Sequence, residues 1–207
     1  MAEETVLEGR IIGKRAVRMR EKADLSEKEI LRLVKKGDRE AYQSIVVRYM
    51  RPAYSIALGF LRNQQDALDI SQEAFIRAYR KLKLYDTEKP FFPWFYRLLK
   101  NLCLDQIKKV KRRNEVPLEE VAFYSDRVRN KELREDLWFG IEKLPMEQRE
   151  IILLRYFRQM SYKEIAELMD KPIGTIMSSL YYAKKRLKAV LERHLGYEQP
   201  PGDFNGS

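Results

Sequence analysis

Residues 164–188 read EIAELMDKPIGTIMSSLYYAKKRLK. Just upstream, SYKE places Ser161 three residues before Glu164, a capping box in which each side chain satisfies a backbone NH of the other residue. A short helix therefore starts there, and its Ala166 is small enough for two helices to cross closely. DKP then supplies a turn: Asp170 tolerates left-handed backbone, and Pro172 suits the start of a second helix. In that helix Ile173, Ile176, Leu180, Ala183, Leu187 and Leu191 step by 3, 4, 3, 4 and 4, a stripe expected to face a core. The other side carries Thr175, Ser178, Ser179, Tyr182, Lys185 and Arg186. Two helices joined this way form a helix-turn-helix, whose second helix can enter a DNA major groove; the same shape also serves as plain packing. No Arg or Lys stands in the second helix before Lys184. Hydroxyls separate bases weakly, whereas a good bidentate pair contributes ~1–3 kcal/mol of discrimination.

The unit sits near the end of a chain of 207 residues, enough for one or two ordinary domains. With 41 Lys plus Arg against 31 acids the net charge is +10, which favours a polyanionic partner such as nucleic acid or an anionic membrane surface. One cysteine, Cys103, and one histidine, His194, make no internal disulfide and no ordinary zinc site. Cys103 lies in the apolar run LLKNLCLDQI and reads as a small buried hydrophobe. No run of about 18 apolar residues predicts a membrane span, and MAEETVLEGRIIGKRAVRMREK lacks the apolar centre of a signal peptide. The expectation is a cytoplasmic protein without membrane insertion.

Helical periodicity runs through almost the whole chain, and no strand alternation is evident. A charged leader over 1–25 precedes SEKE, where Ser26 and Glu29 form a second capping box. Helices are expected from Ser26 to the KKGD turn, over 39–61 with Pro52 as a possible kink, over 64–83, and from Trp94 to Arg112 after the loop LYDTEKPFFPW. Residues 114–131 read as a linker. Four further helices are expected over 132–143, 146–157, 161–169 and 173–193, followed by a tail over 194–207. The expected architecture is all-α: two small helical domains, 26–113 and 132–193, joined by the linker.

Two more constellations stand out. PFFPWFYRLLKNLCLDQIKKVKRR crowds five aromatics into six positions and ends in cations. Leu98, Leu102 and Ile107 are core candidates, while Arg97, Lys100, Asn101, Lys108, Lys109 and Arg112 are left facing out. Rings beside cations suit unstacked bases and phosphates. The alternative is an aromatic core with a solvated basic turn, and for Phe92 and Phe95 that alternative is the reading adopted. DALDISQE puts Asp66, Asp69 and Glu73 on one helix side with Gln72 adjacent. Such a face could dock a basic protein, contribute to a metal site or simply be solvated.

Taken in series, VKKGDREAYQSIVVRYM, NQQDALDISQEAFIRAYRKLKLYD, FPWFYRLLKNLCLDQIKK and LPMEQREIILLRYFRQMSYKEIAELMDKPIGTIMSSLYYAKKRLK resemble the successive signatures of the compact extracytoplasmic-function sigma factors of bacterial RNA polymerase, across about residues 26–193. The resemblance implies two helical domains, regions two and four, and a transcription initiation factor rather than an enzyme, with core RNA polymerase and promoter DNA as partners and no cofactor. It implies core-polymerase contacts at Asp66, Asp69, Gln72 and Glu73. It implies reading and melting of the −10 element by Trp94, Tyr96, Arg97, Asn101 and Lys108, with Arg112 at the basic end. It implies −35 contacts by Lys171, Thr175, Ser178, Ser179, Tyr182 and Arg186. Factors of this type are commonly held off by an anti-sigma factor, a third class of partner. Four positions depart from the family: Met177 stands where Lys is usual, Ser179 where Arg is usual, Tyr182 near where another Arg is frequent, and Asp170 where glycine is frequent. Fewer cations should lower the salt dependence of DNA contact. A weak reader is tolerable when docking on the polymerase supplies most of the affinity, because a second contact on the same scaffold acts through effective concentration. The rival reading is a stand-alone helix-turn-helix regulator, which would have to bind duplex DNA tightly by itself.

Overall fold

The computed structural model describes residues 25–112 and 131–196. The expected leader, linker and most of the tail lie outside the described residues. All regular structure among the described residues is helical, in line with the all-α expectation. Packing divides the described residues into two compact units, 25–54 with 68–105, and 55–67 with 106–112 and 131–196.

In the first unit, α1 (Glu27–Lys35) opens on the expected capping box. Ser26 N donates to Glu29 Oε2 at 2.8 Å, and Glu29 N donates to Ser26 Oγ at 3.3 Å. The Ser26 hydroxyl and amide together hold the Glu29 carboxyl below its ordinary range. Ile30, Leu31 and Val34 bury the inner face. Gly37 then turns the chain at φ 97°, a conformation that favours glycine. The next helix, α2 (Arg39–Leu61), runs unbroken through Pro52, and its residues from Ser55 on belong to the second unit, as do residues 62–67 and 106–112. After it, α3 (Gln64–Lys81) ends in the 3₁₀ turn Leu82–Leu84. Asn63 starts α3 by accepting from Asp66 N at 2.9 Å.

The fourth helix, α4, spans Phe91–Arg112, three residues earlier than the expected start at Trp94. Pro93 therefore sits in its first turn, where a helix needs no NH from it. This first turn is anchored from α1. Glu27 accepts from Phe91 N at 2.9 Å and also from the Tyr49 hydroxyl. The rings around it form the core: Phe91 and Phe95 stack at 5.4 Å, Phe75 and Phe95 at 4.5 Å, and Tyr49 lies 5.4 Å from Phe91. Phe92 and Phe95 are buried, as expected, and so is Cys103, whose thiol burial pushes up to about 12. Removing the Glu27 carboxylate takes the acceptor from the Phe91 amide and one partner from the Tyr49 hydroxyl, which costs about 1–2 kcal/mol. We expect urea unfolding of Glu27→Ala to show that loss and Glu27→Gln, which still accepts, to recover most of it. An alanine variant as stable as the parent would show that the anchor carries no load.

In the second unit, α5 (Lys131–Glu142) and α6 (Met146–Ile152) are followed by the π turn Leu153–Phe157. A single helix was expected over 146–157; its last five residues instead widen into i→i+5 geometry. Arg155 Nη1 closes the segment by donating to Met160 O at 2.8 Å. Then come α7 (Tyr162–Met169) and α8 (Ile173–His194). Ile141, Leu144, Ile151, Ile152, Leu154, Ile165, Ile176 and Leu180 make the core. Gly140 lets α5 approach α8 closely, since a Cβ there would meet Leu187 Cδ1 at 2.6 Å and Leu191 Cδ2 at 3.0 Å. Arg149, 2% exposed, caps the end of α5 from α6. It donates to the carbonyls of Ile141 at 3.1 Å, Glu142 at 2.9 Å and Leu144 at 2.8 Å.

Candidate nucleic-acid and protein interfaces

The helix-turn-helix forms as its sequence predicts. Ser161 accepts from Glu164 N at 3.2 Å and its own NH donates back to Glu164 Oε2 at 2.7 Å. These bonds from the backbone and hydroxyl of Ser161 lower the Glu164 carboxyl. Asp170 takes up the left-handed conformation, φ 54° and ψ 53°, that turns α7 into α8. Ile176, Leu180 and Ala183 are buried against the domain. Ile173 is a correction: expected on the core stripe, it is 49% exposed, because α8 begins there and its first turn projects past the packed layer.

On the outer side of α8, Thr175, Ser178, Tyr182 and Arg186 are exposed and Ser179 is half-buried. Ser178 Oγ donates to Thr175 O at 3.1 Å, which settles its hydroxyl on the helix backbone. Lys171 is engaged: its Nζ lies 2.6 Å from Glu147 Oε2 and it is only half-exposed. Met177, which stands where the family usually has Lys, and Tyr181, which no sequence expectation names, are 50% and 62% exposed. Their four-residue spacing after Ile173 was the legible signal.

On α4, Trp94, Arg97, Asn101, Lys108 and Arg112 step by 3, 4, 7 and 4, so they share one stripe. Trp94 is half-buried and the other four are exposed. The Trp94 ring is fixed from one side by Tyr85, centroids 4.5 Å apart, and by Phe91 at 5.6 Å. Tyr85 donates to Lys89 O at 2.7 Å. Burial, then the charges of Glu27 and Asp86, push its phenol up to about 12, so it remains a donor at neutral pH. The loop before α4 is tied to α1 by Glu88, which pairs with Lys28 and lies 2.9 Å from Arg32. Tyr96 does not join the stripe. It is 1% exposed, with its ring 5.9 Å from that of Phe92. Its position, two residues from Trp94 and one from Arg97, turns it about a third of a helical turn or more away, into the core.

On α3, Asp69 and Gln72 are exposed, Glu73 is half-buried, and Asp66 is half-buried where it accepts from Gln106 Nε2 at 3.0 Å. Glu73 pairs with Arg77 at 2.6 Å, one turn on. Apolar surface interleaves with the acids: Leu68 is 39% and Ile76 46% exposed. A face of carboxylates and exposed aliphatics suits a protein carrying cations over an apolar patch. It does not suit DNA. Among the described residues no group of three or more His, Cys, Asp or Glu converges as metal ligands would, and no helix is long and apolar enough to cross a membrane.

Comparison with known proteins gives matches over both halves of the chain. Residues 45–113 match the family model Sigma-70 region 2, and residues 134–187 match Sigma-70, region 4. The ECF RNA polymerase sigma factor SigW of Bacillus subtilis is 33% identical, over 79% of this chain and 96% of its own. The ECF RNA polymerase sigma-E factor of Escherichia coli K12 is 30% identical, over 79% of this chain and 93% of its own. In fold, the chain is similar to the sigma factor RpoE of Bartonella quintana, solved in complex with the anti-sigma factor NepR, with a TM-score of 0.64 at 23% identity over 73% of this chain and 96% of that one. This chain belongs to the extracytoplasmic-function sigma factors, the initiation factors that direct RNA polymerase to promoters.

Proposed function

We propose that the chain divides promoter initiation among three surfaces. The acid-and-aliphatic face of α3, with Asp66, Asp69, Gln72 and Glu73, docks on core RNA polymerase. The stripe of α4, with Trp94, Arg97, Asn101, Lys108 and Arg112, captures the opened −10 element. Tyr96, being core, supports that stripe from beneath. The outer side of α8, with Thr175, Ser178, Ser179, Tyr182 and Arg186, aligns the −35 element, and Lys171 holds the turn to Glu147. The observation that carries this reading is the α4 stripe. It combines one ring, one amide and three cations on a single line, the combination an unstacked strand needs. Unstacking and extruding a base costs a few kcal/mol, which a ring, an amide and nearby cations can offset. The chain has no catalytic part in this scheme; nucleotidyl transfer belongs to the polymerase, so the factor works in the cytoplasm. An anti-sigma protein is a further proposed partner, on the ground that the Bartonella quintana factor was solved with one.

Run-off transcription with core polymerase on genomic promoter fragments tests the whole reading: discrete starts are expected, and their absence overturns it. Within it, Asn101→Ala is expected to reduce open-complex formation about tenfold or more, the loss of one or two base-edge hydrogen bonds. Co-elution with core enzyme should be unchanged. Footprints with parental melting would remove Asn101 from the reading surface.

A further inference from the structure

The first half of α8 is unusual for a helix that reads DNA. Ile173, Met177 and Tyr181 are 49%, 50% and 62% exposed, and they lie on one line at steps of four. Lys184 and Lys188 continue the same line at steps of three and four, both exposed. The line is therefore apolar through its first two turns and cationic beyond. Tyr181 is braced by Tyr182, ring centroids 5.4 Å apart. An apolar strip of this size left in water has a cost, and a helix-turn-helix presents the N-terminal turns of its second helix to base edges. Cations one and two turns further on match the phosphates that flank a groove. Of the base edges in a major groove, only thymine offers an apolar group, its C5 methyl. The commonest guanine contact, a bidentate Arg or Lys, is absent from those turns, since none precedes Lys184.

We infer that Met177, flanked by Ile173 and Tyr181, is a specificity-determining residue that packs on thymine methyl groups of the −35 element. The inference rests on the sigma-factor reading above and adds the chemical class of what α8 recognises: an A·T-containing tract read by methyl contact. Ser178, three residues before Tyr181, borders the strip and contributes positioning to phosphate or base edges.

The test uses the full chain assembled with core polymerase. Templates with a randomised upstream tract are selected by run-off transcription, and the selected tract is then rebuilt with deoxyuridine in place of thymidine in that tract alone. Each contacted methyl is expected to account for about fourfold in initiation, the value of one buried carbon group. Met177→Ala should lose a similar factor on the thymidine template and almost nothing further on the deoxyuridine template. Met177→Leu should keep the preference for thymidine. Because Met177 is half-exposed, neither variant threatens folding. A selected tract of G·C pairs only, equal initiation from both templates, or a Met177→Ala loss that is the same on both would overturn the inference and leave the sigma-factor reading standing. A parental holoenzyme that starts at no discrete site overturns that reading and the inference together.

Discussion

Replacing Asp69 and Glu73 together by lysine is expected to lower affinity for core RNA polymerase at least a hundredfold, about 3–5 kcal/mol. The magnitude follows from juxtaposition rather than loss alone. A face that presents carboxylates between exposed Leu68 and Ile76 would present ammonium groups to a surface built for anions, and like charges facing across an interface cost several kcal/mol. The fold should not respond. Glu73 forms one helical i,i+4 pair with Arg77, and pairs of that kind contribute about 0.3–0.5 kcal/mol. Gel filtration of the variant with core enzyme reads the result directly. Co-elution at parental ratios, with an unchanged unfolding curve, would mean that α3 is a solvated face and that the polymerase grips the chain elsewhere.

Arg149→Ala is expected to produce the largest loss of stability in the second unit, about 3–5 kcal/mol. Three carbonyls at the end of α5 and in the turn that follows would lose their donor inside a region that water does not reach. Burial draws the Arg149 guanidinium down to about 10, still far enough above neutral pH that the group is charged in the folded chain. The sign follows: a cation whose folded pKa lies below its unfolded value binds its proton less tightly in the folded chain, so this linkage adds stability only above about pH 10, and the effect of the mutation should be level across pH 6–8. For a helical unit of this size the loss corresponds to more than ten degrees in unfolding temperature. Arg149→Lys keeps the charge but cannot span three carbonyls with a planar fork, and it should recover a minor part. An alanine variant that melts within a few degrees of the parent would show that the turn is held by its apolar neighbours, Leu144 and Ile141, instead.

Local signals were legible in the chain because they are local. SEKE and SYKE each contain both halves of a reciprocal bond, so the starts of α1 and α7 needed no tertiary information. Asp170 was readable as a left-handed residue because few other side chains accept that backbone. The α4 stripe was implicit in its spacing, yet Tyr96 was placed with it. Composition groups neighbours in sequence, whereas a helix separates them by about 100° per residue. The start of α4 is not legible locally, because Pro90 and Pro93 mark a boundary without saying on which side it falls. Glu27 decided it by accepting the amide of Phe91 across 64 residues of chain.

The amino-acid sequence by itself determined that the chain is helical, where most helices begin, and that one pair of them forms a helix-turn-helix. Each of those outcomes is set by interactions within a few residues. Only the tertiary structure decided which members of each candidate surface reach solvent. Tyr96 goes inward, Ile173 and Met177 outward, Lys171 to Glu147, and Arg149 to carbonyls on the preceding helix. Exposure depends on what another helix brings alongside, and periodicity carries no record of the neighbour.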